Sequence, residues 1–151
     1  MPAASRLVWR VLGVPVTAAE KTALLAVMIG GRSREAALDF MRDGASHNTE
    51  KSGALLAAQA IFVVVGTFAL DHGWPRYPVV GSMLLLLAGA MTVMANLKGT
   101  TGMYSTAQAQ SDPVRGVFEM VLRRSMRFNL ALYLTYVAIG LLGLAALTFL
   151  P

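Results

Sequence analysis

Cysteine is absent from this 151-residue chain. Its absence excludes a disulfide framework, a thiolate zinc site, a cysteine nucleophile and an iron–sulfur cluster. Charge is scarce as well. Asp, Glu, Lys and Arg make up 14% of the residues, against about 25% in an average soluble domain. Hydrophobic residues make up 56%, a balance that argues against a water-soluble globule. The net charge of +5 comes from 13 basic and 8 acidic residues. In so apolar a chain, a basic excess reports flanks that face anionic lipid better than it reports nucleic acid.

The missing charge is concentrated in three places. Residues 52–70, 77–97 and 128–151 contain no Asp, Glu, Lys or Arg, in runs of 19, 21 and 24 residues. At about 1.5 Å of rise per residue the shortest run reaches about 28 Å as a helix, close to the hydrocarbon thickness of about 30 Å. The competing reading is a buried helix of a soluble bundle, which normally keeps one polar face. Residues 82–88, Ser-Met-Leu-Leu-Leu-Leu-Ala, offer none after the serine. The expected fold is therefore an all-α integral membrane protein, with three transmembrane helices and short cytoplasmic or interfacial helices.

Asp71-His72-Gly73-Trp74-Pro75-Arg76 joins the first two runs. Six residues are too few to cross a bilayer, so residues 52–97 form a transmembrane hairpin. Trp74 and Tyr77 suit the headgroup level. Twelve of the thirteen basic residues precede the first run or lie between the second and third, leaving Arg76 alone at the hairpin tip. The positive-inside rule then places the N-terminus and residues 98–127 in the cytoplasm, with the hairpin tip and C-terminus outside. The expected location is a bacterial inner membrane.

The first 51 residues read as a cytoplasmic segment with short amphipathic helices. The apolar run over residues 23–29 is short and follows Glu20, and Gly30-Gly31-Arg32 does not resemble a cleavage site, which argues against a secretory signal. Thr17-Ala18-Ala19-Glu20 fits a capping box opening a helix over 18–29. Gly30-Gly31 breaks it, and Ser33 caps a second short helix over 34–42. Residues 2–16, with Arg6, Arg10 and Trp9, suit an interfacial anchor or a frayed tail. Residues 99–111 are polar, small and uncharged, which predicts a loop. Asp112 at N-cap and Pro113 at N1 open a helix running unbroken into the third span. Val114, Val117, Phe118, Val121 and Leu122 share one face of it. Arg115 with Glu119, and Glu119 with Arg123, pair on the other. Arg123, Arg124 and Arg127 read as topological anchors at the span's entry. Together with Arg115 they also suit a site for an anionic lipid headgroup or a phosphorylated ligand.

Chemistry-bearing groups are sparse. His47 and His72 fall on opposite sides of the membrane in this topology, so they cannot share a metal. The spans hold no charge for a proton or ion pathway. No Ser-His-Asp set or carboxylate pair can be assembled, and residues 99–102 lack the Gly-Lys-Ser/Thr of a phosphate-binding loop. Asp39 and Asp43 belong to a charged, solvated face. The basic residues cluster at span ends without interleaved aromatics, which does not fit nucleic acid. No catalytic, cofactor or metal residue is expected. Gln59 is the one amide well inside a span, and its expected role is an interhelical hydrogen bond. Small residues predict close helix contact: Gly53/Ala57 and Ala54/Ala58 in span one, and Gly140, Gly143 and Ala146 in span three. Three helices bury few faces among themselves, so some of these grooves are expected to meet a partner protein or another copy.

At Glu50-Lys51-Ser52-Gly53-Ala54-Leu55-Leu56 the entry to the first span resembles small transmembrane effectors of the Pycsar antiphage systems. That family enters its first span through Asp-Lys-Ala and a Leu-Leu pair. A close second span follows, then a cytoplasmic segment and an Arg-rich helix leading to a last span. The similarity covers residues 47–150. This chain departs from the pattern with Glu50 for Asp and Ser52 for Ala, and no sensor motif matches residue by residue. The resemblance implies a nucleotide-responsive effector that disrupts membrane integrity. The residues themselves point first to a non-catalytic accessory or scaffolding subunit of a larger membrane complex. Its expected partners are anionic lipid headgroups and other membrane subunits or further copies.

Overall fold

The computed structural model describes residues 17–97 and 112–149, which form four α-helices and no strand. Helix α1 spans Ala18–Ile29. The capping box forms as expected: Thr17 Oγ1 accepts from Glu20 N at 3.1 Å, and Thr17 N donates to Glu20 Oε2 at 2.9 Å. Gly30 closes the helix in the left-handed region (φ 46°), with its N–H on Ala26 O. A side chain is strained there, which is why glycine ends so many helices.

Ser33 Oγ accepts from Ala36 N at 3.3 Å and caps helix α2, Arg34–Asp71. The expected short helix over 34–42 is thus the start of a continuous 38-residue helix that enters the first span. Gly44, Ser46 and Asn48 weaken helix propensity but do not break it, because packing overrides propensity. Ala37, Met41 and Ala45, spaced four apart, are buried, and Asn48 Nδ2 is satisfied by Ser125 Oγ at 3.2 Å. The end of α2 is a Schellman motif: Trp74 N donates to Ala69 O and Gly73 N, at φ 79°, to Leu70 O.

Helix α3 is Arg76–Leu97 and helix α4 is Pro113–Phe149. Asp112 Oδ1 accepts from Arg115 N at 3.4 Å, and α4 runs unbroken through 37 residues, as expected. Helices α2, α3 and α4 are long and apolar enough to cross a membrane, with mean hydropathy 2.1, 1.9 and 2.1 in their apolar windows. Only 22%, 28% and 28% of those windows is buried within the chain. Ile61, Val64, Phe68, Leu84, Leu87, Met91, Leu144 and Leu147 face outward. A water-soluble bundle would expose apolar patches far larger than such proteins carry.

The chain divides into two units. In the first, residues 17–49 and 112–126, Ala37, Met41 and Ala45 of α2 join Val117, Phe118, Val121 and Leu122 of α4 in one core. Leu24, Leu25, Met28 and Ile29 of α1 pack on it. This is the apolar face of α4 read from its sequence. In the second unit, residues 50–97 and 127–149, the three helices meet along seams of alternating three- and four-residue spacing. Ser52, Leu55, Gln59, Gly66 and Ala69 are buried on α2. Val79, Ser82, Leu86, Gly89, Val93 and Asn96 are buried on α3, and Ala131, Thr135, Ala138, Leu142 and Ala145 on α4. That spacing is the one knobs-into-holes packing uses.

Candidate functional site

The second unit is held by a polar thread inside apolar helices. Gln59 is 1% exposed, and its Nε2 donates to Thr135 Oγ1 at 2.8 Å. Thr135 passes the bond on to Ala131 O at 2.8 Å. Ser82 Oγ donates to Ala138 O at 2.8 Å. Gln59 therefore makes the interhelical bond its position implied. Such bonds contribute about 0.6 kcal/mol on average in membranes. Buried Gln59 Oε1 and Ser52 Oγ have no hydrogen-bond partner, so the thread contributes less than its count of polar groups implies. It consists of amides and hydroxyls and can bind or orient. It supplies no proton donor or acceptor that titrates near neutral pH.

The seam glycines differ from those expected. A Cβ on Gly89 would lie 2.6 Å from Gln59 Nε2 and 3.4 Å from Ala131 O, and one on Gly66 would lie 2.9 Å from Met83 Cγ. These are the close approaches. Gly53, Gly140 and Gly143 instead point outward, and a methyl added at any of them would meet nothing within 4 Å. Ala57 is exposed and Ala146 half-buried. These three glycines therefore do not line the contacts within this chain. The signal for the true seam was the spacing of Ser82, Gly89 and Asn96, seven residues apart on α3.

Of the four arginines expected to contact anionic lipid or ligand, Arg115, Arg123 and Arg124 belong to the first unit. Arg115 Nε pairs with Glu119 Oε1 at 3.7 Å on the surface, a contact contributing at most about 1 kcal/mol. Arg123 is exposed, whereas Arg124, turned about 100° further around the helix, is 6% exposed. Arg127 belongs to the second unit, where its Nη1 donates to Ala95 O at 3.3 Å, in the last turn of α3. A cation is favoured at that carbonyl-rich end.

A larger feature lies elsewhere in the first unit. An open cavity of about 530 Å³ is lined by Leu25, Ile29, Arg32, Arg34, Ala37, Asp112 and Val114. A second, of about 220 Å³, shares Leu25 and Asp112 and adds Lys21, Arg115 and Glu119 among its lining. Taken one-dimensionally, Gly30-Gly31 is only a helix break, and Arg32 and Arg34 count only toward topology. The run Gly-Gly-Arg-Ser-Arg was the available signal.

Trp74 stacks on Phe149, ring centres 5.6 Å apart, and Tyr77 is 93% exposed. Trp9 and the loop expected over 99–111 lie outside the described residues. His72 has a local role at the end of α2, with Nδ1 2.8 Å from Phe68 O and its ring stacked on Phe68. Among the described residues no group of three His, Asp or Glu could hold a metal ion. No family model, no curated protein and no solved structure matches the chain.

Proposed function

We propose that this chain is a multi-pass protein of a bacterial inner membrane. In this reading it is a non-catalytic accessory or scaffolding subunit, docked through its spans on a larger complex or on further copies. The outward glycines carry this reading. A methyl added at Gly53, Gly140 or Gly143 would meet nothing within 4 Å among the described residues, and in lipid small residues are where another helix can approach closely. Replacing Gly140 and Gly143 by leucine is expected to leave the folded monomer within about 0.5 kcal/mol of its stability, as outward positions do, while stripping co-purifying subunits. Native mass measurement after gentle extraction reads this out. A monodisperse monomer from native expression, with no companion protein, would count against it.

The proposed orientation keeps residues 17–51 and 112–127 in the cytoplasm and the hairpin tip outside. Because the chain has no cysteine, single substitutions report side cleanly. Glu35→Cys is expected to react with an impermeant maleimide only after the membrane is opened, and Tyr77→Cys in intact spheroplasts. The reverse pattern would refute the orientation.

A second reading is a ligand-responsive membrane effector. The observation favouring it is the cationic cavity in the first unit, formed partly by α2 and α4, the same helices that supply two of the three spans. Dye release from vesicles holding the purified protein, with and without ligand, tests it.

A further inference from the structure

Arg32 is held at the rim of the larger cavity by contacts that leave its charge intact. Gly30 and Gly31 both adopt positive φ, 46° and 74°. A Cβ on Gly30 would come within 3.0 Å of Val27 O and 3.2 Å of Arg32 Nη1. The turn lets Arg32 fold back, so that Nη1 donates to Met28 O at 2.9 Å and the guanidinium sits 4.6 Å over the Phe40 ring. Both partners are neutral, so neither cancels the positive charge. A guanidinium carries five N–H donors, and the carbonyl occupies only part of that set. Arg34 lines the same cavity two residues on.

The acidic residues that line the two cavities are already engaged. Asp112 caps α4 through Arg115 N, and Glu119 pairs with Arg115. Across the two adjoining cavities, Lys21, Arg32, Arg34 and Arg115 stand against Asp112 and Glu119, four positive charges to two negative. The surplus of two matches a dianion. Leu25, Ile29 and Val114 give the same cavity an apolar lining. The volume of about 530 Å³ falls in the usual range for small-molecule sites, about 300–1,000 Å³.

We propose that this cavity binds a phosphomonoester. Its dianionic phosphate sits on Arg32 and Arg34, whose planar forks match phosphate oxygens two at a time, and its apolar group lies on Leu25, Ile29 and Val114. The ester is either a soluble molecule or a lipid ending in a phosphate. This gives the ligand-responsive reading its ligand class, and depends on that reading only for any consequence in the membrane.

The test uses the full chain in phosphatidylcholine nanodiscs, titrated calorimetrically with phenyl phosphate, and a parallel preparation doped with phosphatidic acid. Saturable binding is expected, weakened about tenfold or more by Arg34→Gln, as loss of one charge-assisted phosphate contact implies. The double variant Arg32→Gln/Arg34→Gln should bind least, and Arg76→Gln as well as the parent. Circular dichroism checks that helix content is unchanged. Arg34→Gln keeps the test decisive if the Arg32 change disturbs the turn. Phenyl phosphate binding that survives phosphatidic acid identifies a soluble ester. Binding competed away by that lipid identifies the lipid source. Absence of binding in both preparations, or equal binding by Arg34→Gln, overturns the site. Binding without dye release removes the effector reading and leaves the site standing.

Discussion

Replacing Gly89 by alanine is expected to destabilise the second unit by about 1–3 kcal/mol, the range for overpacking a closed core. Alanine is otherwise the better helix former by about 1 kcal/mol, so a loss here must come from the helix interface. The new methyl would stand 2.6 Å from Gln59 Nε2 and 3.4 Å from the backbone oxygen of Ala131. Gln59 is the end of a flexible side chain, yet it is 1% exposed and bonded to Thr135. To move aside it must give up that bond and leave a second buried polar atom unsatisfied beside Oε1. Backbone on the other side cannot retreat. Thermal unfolding in detergent, followed by circular dichroism, reads the loss. The mechanism is checked by a double-mutant cycle: Gln59→Ala should relieve Gly89→Ala, with a coupling of about 0.5–3 kcal/mol. Additive losses, or a Gly89→Ala variant as stable as the parent, would refute the close approach.

Met41→Ala is expected to cost about 2–5 kcal/mol, as for other fully buried methionines, and the loss should fall on the first unit. Met41 is 0% exposed and sits in the core shared with Ala37, Ala45, Val117 and Phe118. Its neighbour Phe40 is 46% exposed and serves as the control, with a much smaller effect from Phe40→Ala. Hydrogen exchange is the discriminating measurement. Protection should drop over residues 18–49 and 113–126, while residues 52–97 and 128–149 keep theirs. A uniform drop in both units would contradict the division, because the second unit has its own contacts at Leu55, Val93 and Ala131.

The expected sites show where the sequence was legible. Arg115, Arg123, Arg124 and Arg127 form one basic cluster in a one-dimensional reading, yet a helix turns about 100° per residue. One step carries Arg124 into the packing while Arg123 remains outside. Gln59 was identifiable because a lone amide in hydrocarbon must find a partner. Its partner, Thr135, was not, since any polar residue of the third span at similar depth met the same requirement. The cavity at Arg32 and Arg34 was hidden because its walls come from residues 25–37 and 112–114, far apart in the chain.

Local chemistry written in the sequence determined where helices begin and which of them suit a bilayer. The Thr17/Glu20 box, the Ser33 cap and the Asp112-Pro113 start rest on hydrogen bonds within three residues. The three apolar helices follow from hydropathy and length alone. Tertiary structure alone decided that α2 continues through Gly44, and which face of each span turns inward. In a membrane helix the lipid side and the buried side are equally apolar, so hydropathy carries no face signal. Fit decides instead. Gly89 and Gly66 lie against other helices, while Gly53, Gly140 and Gly143, of the same residue type, are left facing out.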